Sequence, residues 1–512
     1  MRKWFVCKNF NEQLILLITI GLFLGIFIFF YFVHPLFLFD GDDWYYIYNY
    51  RKPIPIWGGW NPTRIFPEVF MPLVGYISAY FIYPFLHDYI LSVALLCSVL
   101  MASLVTILYI SIKQLFVEAF NASENIACAL GIFIILLHFA LFKTRDSDST
   151  FLLIANDVAC YFFFVIPGLI NGIVSVWFLN HKKNRFFYDS QPLKKGCIVV
   201  MLYFTIFSNL YDSIILASVS FSCLFISILR EQVISKKSIL FIFKREYLQV
   251  IILIIWGISG IFEMNGGRAG EIGKNILRFQ DTWNNFIALI KQIDHTIGAV
   301  TLFVIILSVI ACFYKNHRSI YEEDKLFIRT FCILTLSLFV TVFFILIVSA
   351  KSIPEYGGSA GCMYAAFYIF FLIVAVAFSY LIREFKIFVV MFPLMIFFTL
   401  IISTNSLKPF AESNQINIPH QICFRISQDF IRQVVAADKD GNNELLLRVP
   451  KGPKDAPDNW PHPISCLGYR ISHALFAHGI ISKPILVKIV VDEKLNKLYY
   501  TQISKTMSIH RF

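Results

Sequence analysis

The stretch from Glu12 to Val33 reads EQLILLITIGLFLGIFIFFYFV and carries no charge after its first residue. A helix of about 20 apolar residues crosses the roughly 30 Å hydrocarbon core of a bilayer. The basic start before this run is typical of a signal peptide, but the run is too long for one and no small-residue cleavage site follows it. We therefore predict a retained first membrane helix.

Runs of this kind recur along most of the chain. Hydrophobic residues make up 58% of the sequence and charged residues only 15%, whereas an ordinary soluble protein is about 25% charged. The sequence therefore predicts an all-α polytopic membrane protein with about eleven transmembrane helices and excludes disorder, coiled coil and a soluble enzyme with one anchor. The predicted spans are 12–33, 90–112, 124–142, 158–179, 196–208, 213–229, 247–264, 296–314, 331–350, 363–382 and 387–404.

The net charge of +11 is explained by topology. With the N-terminus in the cytoplasm, the cytoplasmic segments hold 20 Lys and Arg residues, against 10 in the opposite short loops. Positive residues resist translocation, so this asymmetry predicts the orientation. The basic residues form no stripe along one face, and we expect no nucleic-acid partner.

An odd number of spans places residues 405–512 on the outer side, after a transmembrane catalytic region at 1–404. There, 23 of 108 residues are charged and prolines recur, which predicts a small soluble α+β domain in the periplasm. Residues 427–437 and 469–478 are predicted helices, and the runs from Pro484 and from Leu498 are predicted to form a β-hairpin. Cys423 and Cys466 are the only cysteines of this domain, and we expect a disulfide between them.

The first outer loop, residues 34–89, is the richest in polar side chains. It contains Phe39-Asp40-Gly-Asp42-Asp43-Trp44-Tyr45-Tyr46, then Trp57-Gly-Gly-Trp60-Asn61-Pro-Thr-Arg64, then an apolar stretch from Ile65 to Leu86. Counting that last stretch as a twelfth span would invert every later loop and destroy the charge asymmetry. We predict that it lies along the membrane interface or re-enters it.

Asp40, Asp42 and Asp43 follow a membrane helix directly, where mutual repulsion and apolar surroundings disfavour their ionised forms. At least one of them is therefore a candidate proton acceptor. Asp40 and Asp42 would also hold a divalent cation if the reaction requires one, although the low carboxylate count elsewhere argues against a metal. The alternative interpretation is a solvated turn rich in Asp and Gly.

Other outer loops supply positive charge. The segment Asn265–Lys274 is glycine-rich and contains Arg268 and Lys274, and Lys351 opens a later loop. Glycine permits close backbone approach and Arg or Lys supplies charge, as a bound phosphate requires. A flexible connector with interfacial anchors is the alternative. Three smaller polar groups, at residues 145–148, at Asn156-Asp157 and around Asp212, are predicted to reach the same face.

A first outer loop that opens with Gly-Asp-Asp-Trp-Tyr (41–45) and continues to an Asn-x-x-Arg (61–64), with many spans and an outer C-terminal domain, resembles the GT-C class of polytopic glycosyltransferases. Within that class the chain is most similar to the bacterial serotype-converting O-antigen glucosyltransferases. The resemblance covers the architecture of nearly the whole chain, while its motifs are confined mainly to residues 39–64.

The resemblance implies transfer of a hexose, with glucose expected, from a polyprenyl-phosphate carrier to O-antigen or a similar lipid-linked polysaccharide. The reaction would take place on the periplasmic face of a bacterial inner membrane. The acidic residue of the family's first loop would be Asp42 or Asp43, with Asp40 as a third candidate, acting as general base on the acceptor hydroxyl. A glucosyltransferase that makes the donor and a flippase that carries it across the membrane would be partner proteins.

In such an enzyme the lipid tail stays in the bilayer, and cations would stabilise the leaving phosphate. The candidates for that role are Arg268 and Lys351, followed by Arg64 and Lys274. The candidates for sugar or acceptor contacts are Trp44, Tyr45, Trp60 and Asn61, with Trp57 beside them.

Two other functions compete with this one. A transporter or flippase for a lipid-linked saccharide would need ionisable residues deep in the spans and an inverted repeat, and the sequence has neither. An O-antigen polymerase would be expected to carry large arginine-containing loops in the middle of the chain, but here the middle loops are short.

Overall fold

The computed structural model describes residues 10–142, 150–155, 157–180, 191–230, 236–272, 277–316, 322–404, 410, 419–450, 464–492 and 494–495. The structure is mostly helical, at 77%, in agreement with the predicted polytopic all-α class. Within the described ranges, nine helices are long and apolar enough to cross a membrane. They indicate a multi-pass membrane protein.

The helices of the first half are α1 (Phe10–Ile28), α2 (Gly41–Tyr46), α3 (Ile65–Ile77), α4 (Tyr83–Leu86), α5 (Tyr89–Glu118), α6 (Glu124–Ala140), α7 (Val158–Cys160), α8 (Ile166–Leu179), α9 (Pro192–Ile206) and α10 (Leu210–Leu229). Those that follow are α11 (Lys236–Arg245), α12 (Tyr247–Met264), α13 (Gly267–Ile272), α14 (Phe279–Ile290), α15 (His295–Asn316), α16 (Glu322–Lys351), α17 (Tyr364–Glu384) and α18 (Ile387–Thr404). π-helical turns at Phe29–Val33, Ser78–Ile82 and Tyr161–Val165 extend α1, join α3 to α4 and join α7 to α8.

Eight of the eleven predicted spans coincide with long apolar helices of the structure. The other three, at 124–142, 196–208 and 387–404, are also helical, as α6, α9 and α18, but they are not among the nine. The ninth long helix is the segment Ile65–Leu86, which the sequence analysis assigned to the interface.

Contacts between loops sort them into two groups, one at each end of the helices. The loops predicted to be outer meet at one end, through the contacts of Ile65 with Phe207, Thr63 with Glu263, Asp43 with Ala159 and Asp294 with Leu141. The loops predicted to be cytoplasmic meet at the other, through the contacts of Asn180 with Glu118 and of Lys113 with Glu124. Arg383 and Asn121 line one pocket at that end. This division is the one that the charge asymmetry predicts.

The segment Ile65–Leu86 stays at the first of these ends along its whole length. The N–H of Ile65 bonds to the carbonyl of Phe207 at 3.0 Å, and Tyr80 bonds to the carbonyl of Ala477 in the C-terminal region. Directly after the segment, Asp88 accepts a hydrogen bond from Gln428 of the same region. These contacts favour a helix that lies along the interface, although its length and hydropathy would also suit a crossing.

Gly75 allows this segment to pack closely. A Cβ atom at this position would collide with the backbone carbonyl of Ile47 and approach the ring of His478 to 2.9 Å. We expect Gly75→Ala to destabilise the protein by about 1–3 kcal/mol, because overpacking displaces backbone. Thermal denaturation of the purified protein in detergent measures the effect.

Gly257→Ala is the matched control, since that helical glycine has open space around its Cβ position. It should leave the melting temperature unchanged or slightly higher, because Ala favours helix. Equal melting temperatures for the two variants would contradict the close contact at Gly75.

The C-terminal region is built from α19 (His420–Lys439), β1 (Glu444–Val449), α20 (Ile464–Ala477) and β2 (Leu486–Val491). Both predicted helices are present, within α19 and α20. The first strand of the predicted hairpin is present as β2, and on one of its edges β2 pairs in parallel with β1, in register from Glu444↔Leu486 to Val449↔Val491. The connection between them includes α20, as parallel strands require a long crossover.

Two predictions for this region fall on parts that the structure leaves undescribed. The second strand of the hairpin, beginning at Leu498, lies outside the described residues. Cys423 is buried on α19, but the side chain of Cys466 is not described, so the disulfide stays a prediction. The region docks on the chain after α1, where Ser427 donates a hydrogen bond to the carbonyl of Leu38 at 3.0 Å.

Candidate active site

A cleft of about 510 Å³ opens where the first loop, α3, the segment around Arg268 and α20 come together. It lies at the end of the helices that carries the predicted outer loops. Of the residues singled out from the sequence, its lining contains Asp42, Tyr45, Trp60, Asn61 and Arg268. The cleft therefore joins candidates for the base, the sugar contacts and the phosphate contacts.

The three aspartates have different surroundings because α2 begins among them. Asp40 is the N-cap residue, and its Oδ1 accepts the N–H of Asp42 at 2.9 Å. Asp43 is fully buried; its Oδ2 accepts the N–H groups of Phe39 and Asp40, both at 3.0 Å. Its Oδ1 accepts the N–H of Ala159 at 2.8 Å. Asp43 thus joins the first loop to α7 and has no access to a substrate.

Asp42 is the member of the trio that faces the cleft. Its side chain is 58% exposed, and Oδ1 accepts a hydrogen bond from Nη1 of Arg470 at 2.8 Å. Arg470 lies on α20, in the C-terminal region, so both ends of the chain contribute to the cleft. Its guanidinium also lies over the ring of Tyr45, 5.2 Å from the centroid.

Asp40 and Asp42 each have one carboxylate oxygen engaged within the protein, Asp40 in the helix cap and Asp42 in the ion pair with Arg470. Within the described part of the chain, no group of three or more His, Cys, Asp or Glu side chains is arranged to hold a metal ion.

Behind the cleft, Asp43 lies next to a second acid, Asp157, which is half-buried. Burial, followed by the charge of Asp40, raises the pKa of Asp157 to about 7, and burial and Asp157 raise the pKa of Asp43 well above its usual value. Both acids bind protons more tightly in the folded protein than in the unfolded chain. Their contribution to stability is therefore present at low pH and is lost as the pH rises through these raised values.

We expect Asp157→Asn to stabilise the protein at pH 8 by about 1–3 kcal/mol, because it removes the charge of a poorly solvated carboxylate beside the buried Asp43. At pH 5, where the native acid is protonated, the gain should be much smaller. Asn still caps a helix, as Asp157 does through the N–H of Cys160. Melting curves of wild type and variant at the two pH values test this; a gain independent of pH would contradict it.

Two arginines provide positive charge beside Asp42. The charge of Arg64, followed by burial, lowers the pKa of Arg268, so the two guanidinium groups are close neighbours. Arg64 also lies over the ring of Phe163, 5.2 Å from the centroid. No acidic side chain that the structure describes forms an ion pair with either arginine. Carboxylates act on both from a greater distance, Glu263 on Arg268 and Glu68 and Asp212 on Arg64. Two neighbouring guanidinium groups without a direct ion pair have donors to offer to an anion.

The other predicted cations do not share this position. Lys351 ends α16 and is not among the residues that line the cleft. Lys274 lies outside the described residues. Arg64 does not line the cleft itself, but it lies next to Arg268, which does.

The glycines around Arg268 explain how it reaches the cleft. The N–H of Gly267 bonds to the carbonyl of Gly59 at 2.9 Å, and a Cβ at Gly266 would lie 2.5 Å from Pro62. On the facing side, Gly58 has a φ of +70° in the turn that presents Trp60. The two glycine-rich segments therefore pack backbone to backbone and carry Arg268 and Trp60 to the same opening.

The sequence analysis missed a polar network on the wall of the cleft. Glu68 accepts hydrogen bonds from Nη1 of Arg51 at 2.8 Å and from Nδ2 of Asn61 at 2.7 Å. Asn61 thus supports the wall. Glu68 could have been found, because it is the only charged residue in the apolar stretch from Ile65 to Leu86. Arg470 had no such local signal.

The predicted aromatic contacts divide into two groups. Trp60 is 50% exposed and lines the cleft with Tyr45, so both rings are open to a ligand. Trp44 is fully buried and packs near Tyr89, with ring centroids 6.4 Å apart. Trp44 is therefore a core residue, because α2 turns it toward α5, and its predicted contact with a sugar is corrected. Trp57 is exposed but lies outside the lining.

Comparisons with protein-family models, with curated proteins and with solved structures found no match for this chain. The chemistry of the cleft is therefore inferred from its own residues. They are an exposed carboxylate, two neighbouring arginines without a direct ion pair to an acidic side chain, and two accessible aromatic rings.

Proposed function

We propose that this chain is a membrane glycosyltransferase that moves a hexose from a polyprenyl-phosphate carrier to O-antigen or a similar lipid-linked polysaccharide on the periplasmic face. One observation carries the proposal. The same cleft contains the accessible carboxylate of Asp42 and the unpaired guanidinium group of Arg268 with Arg64 behind it. A base and an anion site are the two elements that transfer of a sugar from a phosphate requires.

In this reaction Asp42 removes the proton from an acceptor hydroxyl while that oxygen attacks the anomeric carbon. A carbon–oxygen bond forms to the acceptor, and the bond between the sugar and the phosphate oxygen breaks. Arg268 and Arg64 stabilise the charge that develops on the leaving phosphate, and preorganised charge of this kind is a large catalytic contribution. Arg470 orients the carboxylate of Asp42 through their ion pair.

The surroundings of the cleft suit a lipid-linked donor. The segment Ile65–Leu86 borders it and exposes large apolar side chains, among them Phe81 at 70% and Phe85 at 83%. A polyprenyl tail beside this segment would remain in hydrocarbon while its phosphate reached Arg268. Trp60, half exposed at the opening, is available to stack on the sugar.

The charge distribution supports the periplasmic side. The end of the helices that carries the cleft also carries the loops with fewer Lys and Arg residues, which the positive-inside rule places outside the cytoplasm. Nucleotide sugars are made in the cytoplasm, so an enzyme with its site outside needs a donor that has crossed the membrane on a lipid.

The test compares the surface polysaccharide of cells that express the wild-type chain, the Asp42→Asn variant or neither. An added side-branch hexose with the wild type alone supports the proposal. A change in polysaccharide chain length without a new sugar would indicate a polymerase instead. A change in the amount exported, with the same composition, would indicate a transporter.

A further inference from the structure

Four aromatic rings form a row that begins in the cleft and ends on the exposed surface of α20. Tyr45 lines the cleft, and its ring lies 6.3 Å from that of Tyr48. Tyr48 is followed by His473, 6.3 Å away with planes only 22° apart, and His473 lies 4.1 Å from Tyr469. The first two rings belong to the first outer loop and the last two to the C-terminal region.

The row is an open surface as well as a contact between the two regions. Tyr469 is 60% exposed, while Tyr45, Tyr48 and His473 are half-buried. Rings that only held the C-terminal region in place would be expected to be buried, as Trp44 is. Arg470, the neighbour of Tyr469, joins the row to the candidate base through its ion pair with Asp42 at 2.8 Å.

We propose that Tyr45, Tyr48, His473 and Tyr469 form the subsite that binds the saccharide chain of the acceptor. This proposal rests on the proposed function for the role of Asp42, which lines the same cleft as Tyr45. The arrangement suits a polysaccharide because successive sugar rings present flat C–H faces to aromatic side chains. It also separates the two substrates: the acceptor lies along the row, and the lipid phosphate lies at Arg268.

The polar groups of the row match a neutral ligand. Burial, followed by the neighbouring Tyr469, raises the pKa of Tyr48 to about 12. The phenols of Tyr48 and Tyr469 are hydrogen-bonded to each other, and the O–H of the accepting member of this pair remains as a donor for a sugar hydroxyl. Asn49, the next residue, lines the cleft and adds an amide. None of the four rings carries a negative charge that would repel a polysaccharide.

The experiment measures binding of the polysaccharide released by mild acid from the surface of cells that lack the gene. The full-length protein in detergent is titrated with it, and dissociation constants are compared for wild type, Tyr469→Ala and Phe476→Ala. Phe476 is an exposed aromatic residue of the same helix, at 43%, and is not part of the row. We expect Tyr469→Ala to weaken binding about fivefold to tenfold, as loss of one stacking surface does, and Phe476→Ala to have no effect.

A second readout separates this proposal from the proposed function. Asp42→Asn should abolish transfer but leave polysaccharide binding unchanged, while Tyr469→Ala should raise the KM for the acceptor more than it lowers kcat. Binding that depends on Tyr469 without any sugar transfer would contradict the glycosyltransferase and keep the subsite. If wild type does not bind, or if Tyr469→Ala and Phe476→Ala bind equally, the subsite proposal is overturned.

Discussion

Asp42→Asn is expected to lower sugar transfer by about 10²- to 10⁴-fold, the usual contribution of a general base. The amide has nearly the shape of the carboxylate and still accepts a hydrogen bond from Arg470, but it cannot take the proton of the acceptor hydroxyl. Transfer of a labelled hexose into polysaccharide, measured in membranes with equal amounts of each protein, gives the effect.

Asp40→Asn is the matched control because it makes the same chemical change two residues away. Asn caps a helix about as well as Asp, so α2 should keep its position and most of the activity should remain. Full transfer by Asp42→Asn at normal expression would remove Asp42 from the reaction. Equal losses in both variants would point to the structure of α2 instead of a base.

Arg268→Ala is expected to lower kcat/KM for the donor by about 10²- to 10³-fold, a loss comparable to that of one oxyanion-stabilising group. The leaving phosphate would then face Arg64 alone, from behind the lining. Arg268→Lys should recover part of the loss, since a lysine keeps the charge but not the planar pair of donors. Initial rates at varied donor concentration measure these effects.

Arg278→Ala provides the comparison for a loss of positive charge alone. Arg278 is an exposed residue just before α14 and outside the cleft lining. Unchanged activity in Arg278→Ala beside a large loss in Arg268→Ala would support a phosphate contact. Similar kinetics for Arg268→Ala and wild type would exclude Arg268 from the site.

Features that depend on short stretches of sequence could be predicted well. An apolar run such as Glu12–Val33 forms a helix wherever it is placed, and the charges between runs sort the loops. The sequence did not decide among Asp40, Asp42 and Asp43. Their roles depend on where the six-residue helix α2 begins, because its start determines which aspartate is the cap, which is buried and which is exposed. The same short helix turns Trp44 into the core.

Features that depend on distant contacts could not be predicted. Arg470 pairs with Asp42 across a sequence separation of 428 residues, and nothing around Gly468 or Tyr469 in the sequence indicates this partner. The partner of β2 was missed for a related reason. The sequence pattern of β2 predicts a strand but does not identify its partner. Because a turn follows β2, the run from Leu498 was predicted as the partner and the pairing with β1 was not.

The ion pair between Asp42 and Arg470 also bears on when during synthesis the cleft acquires its final shape. The first loop leaves the ribosome well before α20, because 428 residues separate Asp42 from Arg470. Until α20 is made one wall of the cleft is missing, and a nascent or prematurely terminated chain would hold the arginine pair without Tyr469 and His473 of the aromatic row. A chain that stops before residue 464 is thus a membrane-embedded precursor in which the partner of Asp42 has yet to be translated.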